Sequence, residues 1–198
     1  MTPHIEPLAY VSPYAWIFWA VFLAAYVPEF VVVARSKPAP GEKTDRGSMA
    51  LIVVASWLAF PAAFAVASWS KFALLADRVV WFSLGIGILI AGSMLRRYCF
   101  RTLGRYFTGN VKVHAGHTVI EHGLYRFVRH PSYTGGMLMY LGTGLALTNW
   151  LSALILVGMG AITYAYRVRV EEQALANSIG TPYVQYMART KRFVPFVF

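Results

Sequence analysis

Five long apolar runs, separated by short charged or turn-forming stretches, leave this chain of 198 residues few ways to fold. A helix that spans a bilayer needs about 20 mostly apolar residues. Runs at about 14–34, 48–69, 79–100, 132–148 and 150–166 meet or approach that length. Pro28 and Glu29 interrupt the first, and Pro61 predicts a kink in the second. The last two are short and meet at Asn149, which predicts a tight antiparallel hairpin. The expected fold is therefore all-α: a polytopic membrane bundle of five transmembrane helices in one domain, residues 1–198, with a polar region at one face. Composition agrees. The chain is 58% hydrophobic and 13% charged, against roughly 45–50% and about 25% in soluble domains.

Lys and Arg set the orientation. With five spans, the loops on one side hold Arg35, Lys37, Lys43, Arg46, Arg96, Arg97, Arg101, Arg105, Lys112, Arg126, Arg129, Arg167, Arg169, Arg189, Lys191 and Arg192. The other side holds only Lys71 and Arg78. The N-terminus is expected away from the cytosol, and the C-terminus in it. Residues 1–14 lack Lys and Arg, so the start is not expected to be a cleaved signal. A net charge of +10 would suggest nucleic acid in a soluble chain. Here the cations flank apolar runs, so membrane lipids are the expected partner and nucleic acid is not. The lone Cys99 allows no internal disulfide and is expected to be a small buried hydrophobe. On the third span Ser83, Gly87 and Ala91 form a small-residue stripe suited to close helix contact.

Two segments on the basic side, 101–131 and 167–198, are too polar to be linkers. The hairpin brings them together. Each leg has about 17 residues at about 1.5 Å rise, so a chain leaving the surface at Pro131 returns to it near Arg167. His130 and Tyr133 are thus expected beside Arg167 and Glu171. Pro131 fits a first helical turn and biases His130 to an extended conformation. Free N–H groups at that helix start favour anions next to Arg129 and His130. Arg167 and Glu171 are spaced i, i+4 and share a helical face, with Glu172 about 100° further round. Exposed pairs of this kind are weak, but ionisable groups at a membrane helix end are often functional. His114, His117, His122 and His130 have spacings of 3, 5 and 8 and do not form the paired boxes of a di-iron site, so no metal is expected. No Walker loop or Gly-x-Gly-x-x-Gly appears.

The ordered residues Gly116-His117-Thr118-Val119-Ile120, Glu121-His122-Gly123-Leu124-Tyr125-Arg126 and Arg129-His130-Pro131-Ser132-Tyr133 with Gly135, then Arg167, Glu171-Glu172, Leu175, Gly180, Tyr183, Tyr186, Arg189 and Pro195 resemble the isoprenylcysteine carboxyl methyltransferase family. That family belongs with the membrane phospholipid methyltransferases. The resemblance covers the C-terminal half from Tyr106; Leu124 stands where the family has proline. It implies methyl transfer from S-adenosyl-L-methionine at the cytosolic membrane face. By position, it implies that His117, Val119, Gly123, Tyr125, Arg129, His130, Tyr133 and Glu171 or Glu172 line the cofactor site. The namesake acceptor is the carboxylate of a prenylated cysteine, a lipophilic partner that arrives from the bilayer.

The residue types suit such a reaction. Displacement at a sulfonium depends on positioning. A carboxylate acceptor is already ionised and needs a cation, for which Arg167 is the candidate. Glu171 then orients Arg167 or binds the cofactor's hydroxyls or ammonium. An amine or thiol acceptor would instead need Glu171, Glu172 or a histidine as a base. Arg-His-Pro-x-Tyr is also similar to membrane sterol reductases, which raises an NADPH-dependent reductase as a second enzyme class. A small membrane scaffold or transporter subunit would explain the spans but not the polar motifs. The acceptor is expected to be read by the first three spans, where no residue stands out.

Overall fold

The structure, a computed structural model, describes residues 6–35, 45–74, 76–107 and 119–193. It is helical, with α1 (Tyr14–Arg35), α2 (Ser48–Val66), α3 (Arg78–Leu103), α4 (Pro131–Ala146), α5 (Trp150–Ile179) and α6 (Thr181–Arg189). Among the described residues the only β pairing is two isolated bridges, Ala73–Asn149 and Val128–Lys191. By length and composition, four helices can cross a membrane: α1, α2, α3 and α5. Their outer faces carry Trp16, Phe30, Trp57, Leu58 and Ile162, each at least 69% exposed. Large apolar side chains turned outward on this scale suit lipid as solvent. Pro28 and Pro61 both lie inside helices, as membrane helices tolerate.

The predicted fourth span coincides with α4, but its 16 residues form the shortest of the five bundle helices and the most enclosed. Its neighbours fix the directions. Tyr14 packs on Phe82 and Glu29 pairs with Arg96, so α1 and α3 run parallel. Gly85 lies against Gly142 and Ala146, and Gly92 against Gly135 and Met139, so α4 runs antiparallel to α3. Ser152 and Ala63 meet at one end of α2, and Ser48 and Arg167 at the other, so α2 opposes α5.

The close seam differs from the predicted stripe. Ser83, Gly87 and Ala91 are exposed, and a Cβ added at Gly87 would meet nothing. Gly85 and Gly92 make the contact instead. A Cβ on Gly85 would fall 2.7 Å from the Gly142 carbonyl oxygen, and one on Gly92 would fall 2.6 Å from that of Gly135. The two stripes lie about 200° apart on a helix. Both are small-residue patterns, so spacing alone could not say which one faced a partner.

Asn149, fully buried at the tip of the hairpin, closes the opposite end of the bundle from the polar segments. Its Oδ1 accepts from Ser152 N at 3.1 Å and caps α5. Its Nδ2 donates to the carbonyls of Val66 (3.1 Å), Ala67 (3.3 Å) and Trp69 (3.3 Å) at the end of α2. One side chain thereby satisfies backbone groups of two helix ends that water would otherwise have to reach.

The fifth predicted span ends at 166, yet α5 continues to Ile179. Hydropathy marks where the apolar segment stops, not where the helix stops. Residues 167–179 are mostly good helix formers, and the break comes at Gly180, with φ 75°, followed by Pro182. At about 1.5 Å per residue, α5 is about 45 Å long against a hydrocarbon core of about 30 Å. Its last turns therefore project beyond the apolar layer and carry Arg167, Glu171 and Glu172 on one rigid rod.

Candidate active site

Three chain segments converge where α4 begins and α5 emerges. The first is 119–130, which ends in the 3-10 turn Gly123–Arg126 and enters α4 at Pro131. The second is the projecting part of α5. The third is α6 and the residues after it, which zip back onto the first. Arg129 N donates to Lys191 O at 2.8 Å, and His130 N to Arg192 O at 2.9 Å. Tyr186 Oη donates to Tyr125 O at 2.6 Å, and Thr134 Oγ1 to Phe193 O at 3.0 Å. Gly123 is held under α3 with φ 61°, and a Cβ there would meet the Tyr98 hydroxyl.

Glu172 is the hub of one polar cluster. Its Oε1 accepts from Arg129 Nε at 2.8 Å and lies 3.3 Å from His130 Nε2. Its Oε2 accepts from Arg192 Nη2 at 2.9 Å and Arg192 Nε at 3.1 Å. Arg129 Nη1 also donates to the carbonyls of Met187, at 2.9 Å, and Thr190. One buried carboxylate thus ties all three segments together. Arg129 and Glu172 are 10% and 9% exposed at the side chain, whereas Arg192 is 43% exposed.

Glu171 begins a second cluster. Tyr133 Oη donates to Glu171 Oε2 at 2.6 Å and accepts from Arg167 Nε at 3.2 Å. Arg167 is buried, and its Nη1 donates to Ser48 Oγ at 2.7 Å and to Asp45. The adjacent Glu171 and Glu172 therefore serve different networks, as a helical turn of about 100° per residue requires. Tyr133 stacks toward Tyr164, with centroids 4.8 Å apart, and lies 5.5 Å from the His130 ring. Around the first cluster Tyr125, Tyr183 and Tyr186 are buried, and burial pushes all three hydroxyls above the ordinary phenol range. They stay neutral and wall the charged hub.

Most of the predicted site residues meet here. Arg129, His130, Tyr133, Arg167, Glu171 and Glu172 share two linked networks, although about 40 residues separate the two halves. Gly123 and Tyr125 form the turn that supports Arg129. Val119 is half-buried at the start of that segment. His117 lies outside the described residues. Both oxygens of Glu172 are engaged by side chains of the protein itself.

Five participants escaped the sequence reading. Asp45 and Ser48 come from the start of α2, more than 100 residues from Arg167. Arg192 was counted only as a tail charge. Glu29 and Arg96 form an ion pair of 2.5 Å, side chains 15% and 11% exposed, and Arg96 Nη1 donates to Ser132 O at 3.0 Å. This pair fastens α1 and α3 to the first turn of α4, beneath Tyr133. Only Glu29, a charge inside an apolar run, gave any signal.

A family model described as the isoprenylcysteine carboxyl methyltransferase family matches residues 85–177, from the α3 seam through the Glu171–Glu172 pair. Over these residues the chain is similar to that family. Among curated relatives, protein-S-isoprenylcysteine O-methyltransferase B of Arabidopsis thaliana is 35% identical over 120 residues, 59% of this chain and 61% of that protein. The match thus spans about three fifths of that relative's length. A probable protein-S-isoprenylcysteine O-methyltransferase of Oryza sativa subsp. japonica is 29% identical over 189 residues, 92% of this chain and 96% of that one. The solved structure of the eukaryotic intramembrane Ras methyltransferase, an isoprenylcysteine carboxyl methyltransferase, superposes with a TM-score of 0.64 at 23% identity. It covers 94% of this chain and 69% of that chain, so the fold shared with that structure extends over α1 and α2 as well as the motif half.

Proposed function

We propose that this protein is an integral membrane methyltransferase that transfers the methyl group of S-adenosyl-L-methionine to the carboxylate of a lipophilic acceptor, a prenylated cysteine or a similar amphiphile. The observation that carries the reading is the pair of networks meeting on α5: Arg129–His130–Glu172–Arg192 beside Glu171–Tyr133–Arg167. The donor set fits that cofactor. Its amino-acid end carries an ammonium and a carboxylate, and the site offers Arg129 at the start of α4 together with the Glu171 carboxylate, flanked by neutral aromatic side chains. When bound, the cofactor supplies an electrophilic methyl group on a positively charged sulfur.

The chain's own residues then have distinct tasks. Arg129 and His130, locked on Glu172, fix the entry to α4, and Arg129 lends positive charge there. Glu171, oriented by Tyr133, would hold the cofactor's cationic end. Arg167 holds the acceptor's carboxylate in line with the methyl group. The cofactor would supply its methyl group to the acceptor oxygen held by Arg167, and the electron pair of the broken S–CH3 bond would stay on sulfur. No proton moves, so no general base is required. Water is kept out by the buried tyrosines and by the C-terminal residues zipped over 125–134.

Binding of S-adenosylmethionine and of its demethylated product to purified protein, measured by calorimetry, tests the cofactor. Methylation with a labelled donor and a panel of a prenylcysteine analogue, a phospholipid amine and a thiol tests the acceptor. Transfer to the first is expected; an amine or thiol product would move Glu171 into the role of base. Absence of cofactor binding would remove the reading altogether.

The same reading includes five membrane crossings and a cytosolic site. The alternating helix directions support α4 as a crossing, and the charge partition supports the orientation. In intact cells, an impermeant maleimide should label Lys71→Cys but reach Lys191→Cys only after permeabilisation. The reverse pattern would invert the topology.

A further inference from the structure

We infer that Asp45, with Ser48, is a positioning residue for Arg167: the turn ahead of α2 holds that guanidinium toward the acceptor and away from Glu171. The inference rests on Arg167 as the acceptor's cation and extends the site to a part of the chain outside every motif. Asp45 does more than cap α2. Its Oδ2 accepts from Met49 N at 3.0 Å and its Oδ1 from Ser48 Oγ at 3.1 Å, which is ordinary helix-start chemistry. The same Oδ1 also takes Arg167 Nη1, and so does the fully buried Ser48 Oγ at 2.7 Å. A helix cap needs neither contact.

The turn is built to reach α5. Arg46 and Gly47 are both left-handed, with φ 45° and 72°. For a residue with a Cβ, this conformation is unfavourable. Two further bonds hold the turn in place: Tyr166 Oη donates to Arg46 O at 3.0 Å, and Arg46 Nη1 to Gln173 Oε1 at 2.8 Å. Tyr166, Arg167 and Gln173 all belong to α5, so this turn and the projecting helix form one wall.

Arg167 needs such a wall. Glu171 lies one turn along the same helix, and an i, i+4 pair readily closes on itself. A guanidinium drawn onto Glu171 would swing out of the position meant for the acceptor and disturb the Tyr133–Glu171 bond. Tyr133 holds the Nε edge and Asp45–Ser48 hold Nη1, so the plane is fixed from two sides.

The test compares wild type with Asp45→Asn, Asp45→Glu and Gly47→Ala. It uses tritiated S-adenosylmethionine, N-acetyl-S-farnesylcysteine as acceptor, calorimetry for cofactor affinity and a melting temperature for each variant. For Asp45→Asn, the acceptor KM should rise about tenfold, within the ~100-fold that an ångström-scale misplacement can cost. Its cofactor affinity should stay within about twofold of wild type, since Tyr133 still holds Glu171 and the Arg129–Glu172 cluster is untouched. Asp45→Glu should recover part of the loss. Gly47→Ala keeps the carboxylate but strains the turn, and should raise KM in the same direction. An unchanged or lowered acceptor KM in Asp45→Asn would overturn the inference. So would a parallel loss of acceptor binding, cofactor binding and melting temperature, which marks a helix cap alone. Wild-type protein inert toward both ligands would instead remove the methyltransferase reading, and this inference with it.

Discussion

Replacing Glu172 with Gln strikes the one carboxylate that joins the three segments of the site. The side chain keeps its shape but loses its charge. Arg129, 10% exposed at the side chain, is left beside a neutral amide, and the partly buried Arg192 loses its acceptor pair. Removing one partner of a buried ion pair costs about 3–5 kcal/mol, because the remaining charge is stranded. The lower end applies here. Arg129 keeps the Met187 and Thr190 carbonyls, and Arg192, 43% exposed, can turn to water. The expected cost is therefore about 3 kcal/mol, concentrated where residues 186–193 dock on 125–134.

Two readouts follow for detergent-solubilised protein. The melting temperature of the Glu172→Gln variant should fall, and limited proteolysis should cut near α6 first, since that segment loses its tie. A double replacement, Glu172→Gln with Arg129→Met, should be less destabilised than the single one, because no stranded cation remains. A Glu172→Gln protein that melts and is cleaved like wild type would refute the hub role.

Gly142→Ala should destabilise the bundle by about 1–3 kcal/mol, because the added methyl would lie 2.7 Å from the Gly85 carbonyl oxygen on α3. Gly87→Ala, which meets nothing, should leave the melting temperature unchanged, and equal melting of the two variants would disprove the seam. Asn149→Ala removes the α5 cap and the donor to three carbonyls at the end of α2. It should cost about 2 kcal/mol, read as a lower melting temperature with unchanged cofactor affinity.

The helices were legible in the sequence because lipid imposes one crude rule. Every apolar run long enough to cross must be a helix, and the predicted starts at 14, 48, 79, 132 and 150 fall within a residue of α1 to α5. Meeting of Arg129–Tyr133 with Arg167–Glu172 was also legible, since a hairpin with legs of equal length has only one geometry. The end of α5 was not, because hydropathy falls at Arg167 while helix propensity does not. The choice between two glycine stripes on α3 was not, because both satisfy the same spacing rule and only packing against α4 separates them.

The sequence by itself therefore determined the solvent, the helical elements, the charge asymmetry and the residues of the two motif segments, all of which depend on local pattern. Tertiary structure alone decided which carboxylate each cation meets. Glu171 and Glu172 are adjacent and chemically alike, yet one is sealed among Arg129, His130 and Arg192 and the other faces Tyr133. Asp45, in no motif, closes on Arg167 from the turn ahead of the neighbouring α2. Pairings of this kind depend on rotation about helix axes and on contacts between residues more than 100 positions apart, to which periodicity along the chain is blind.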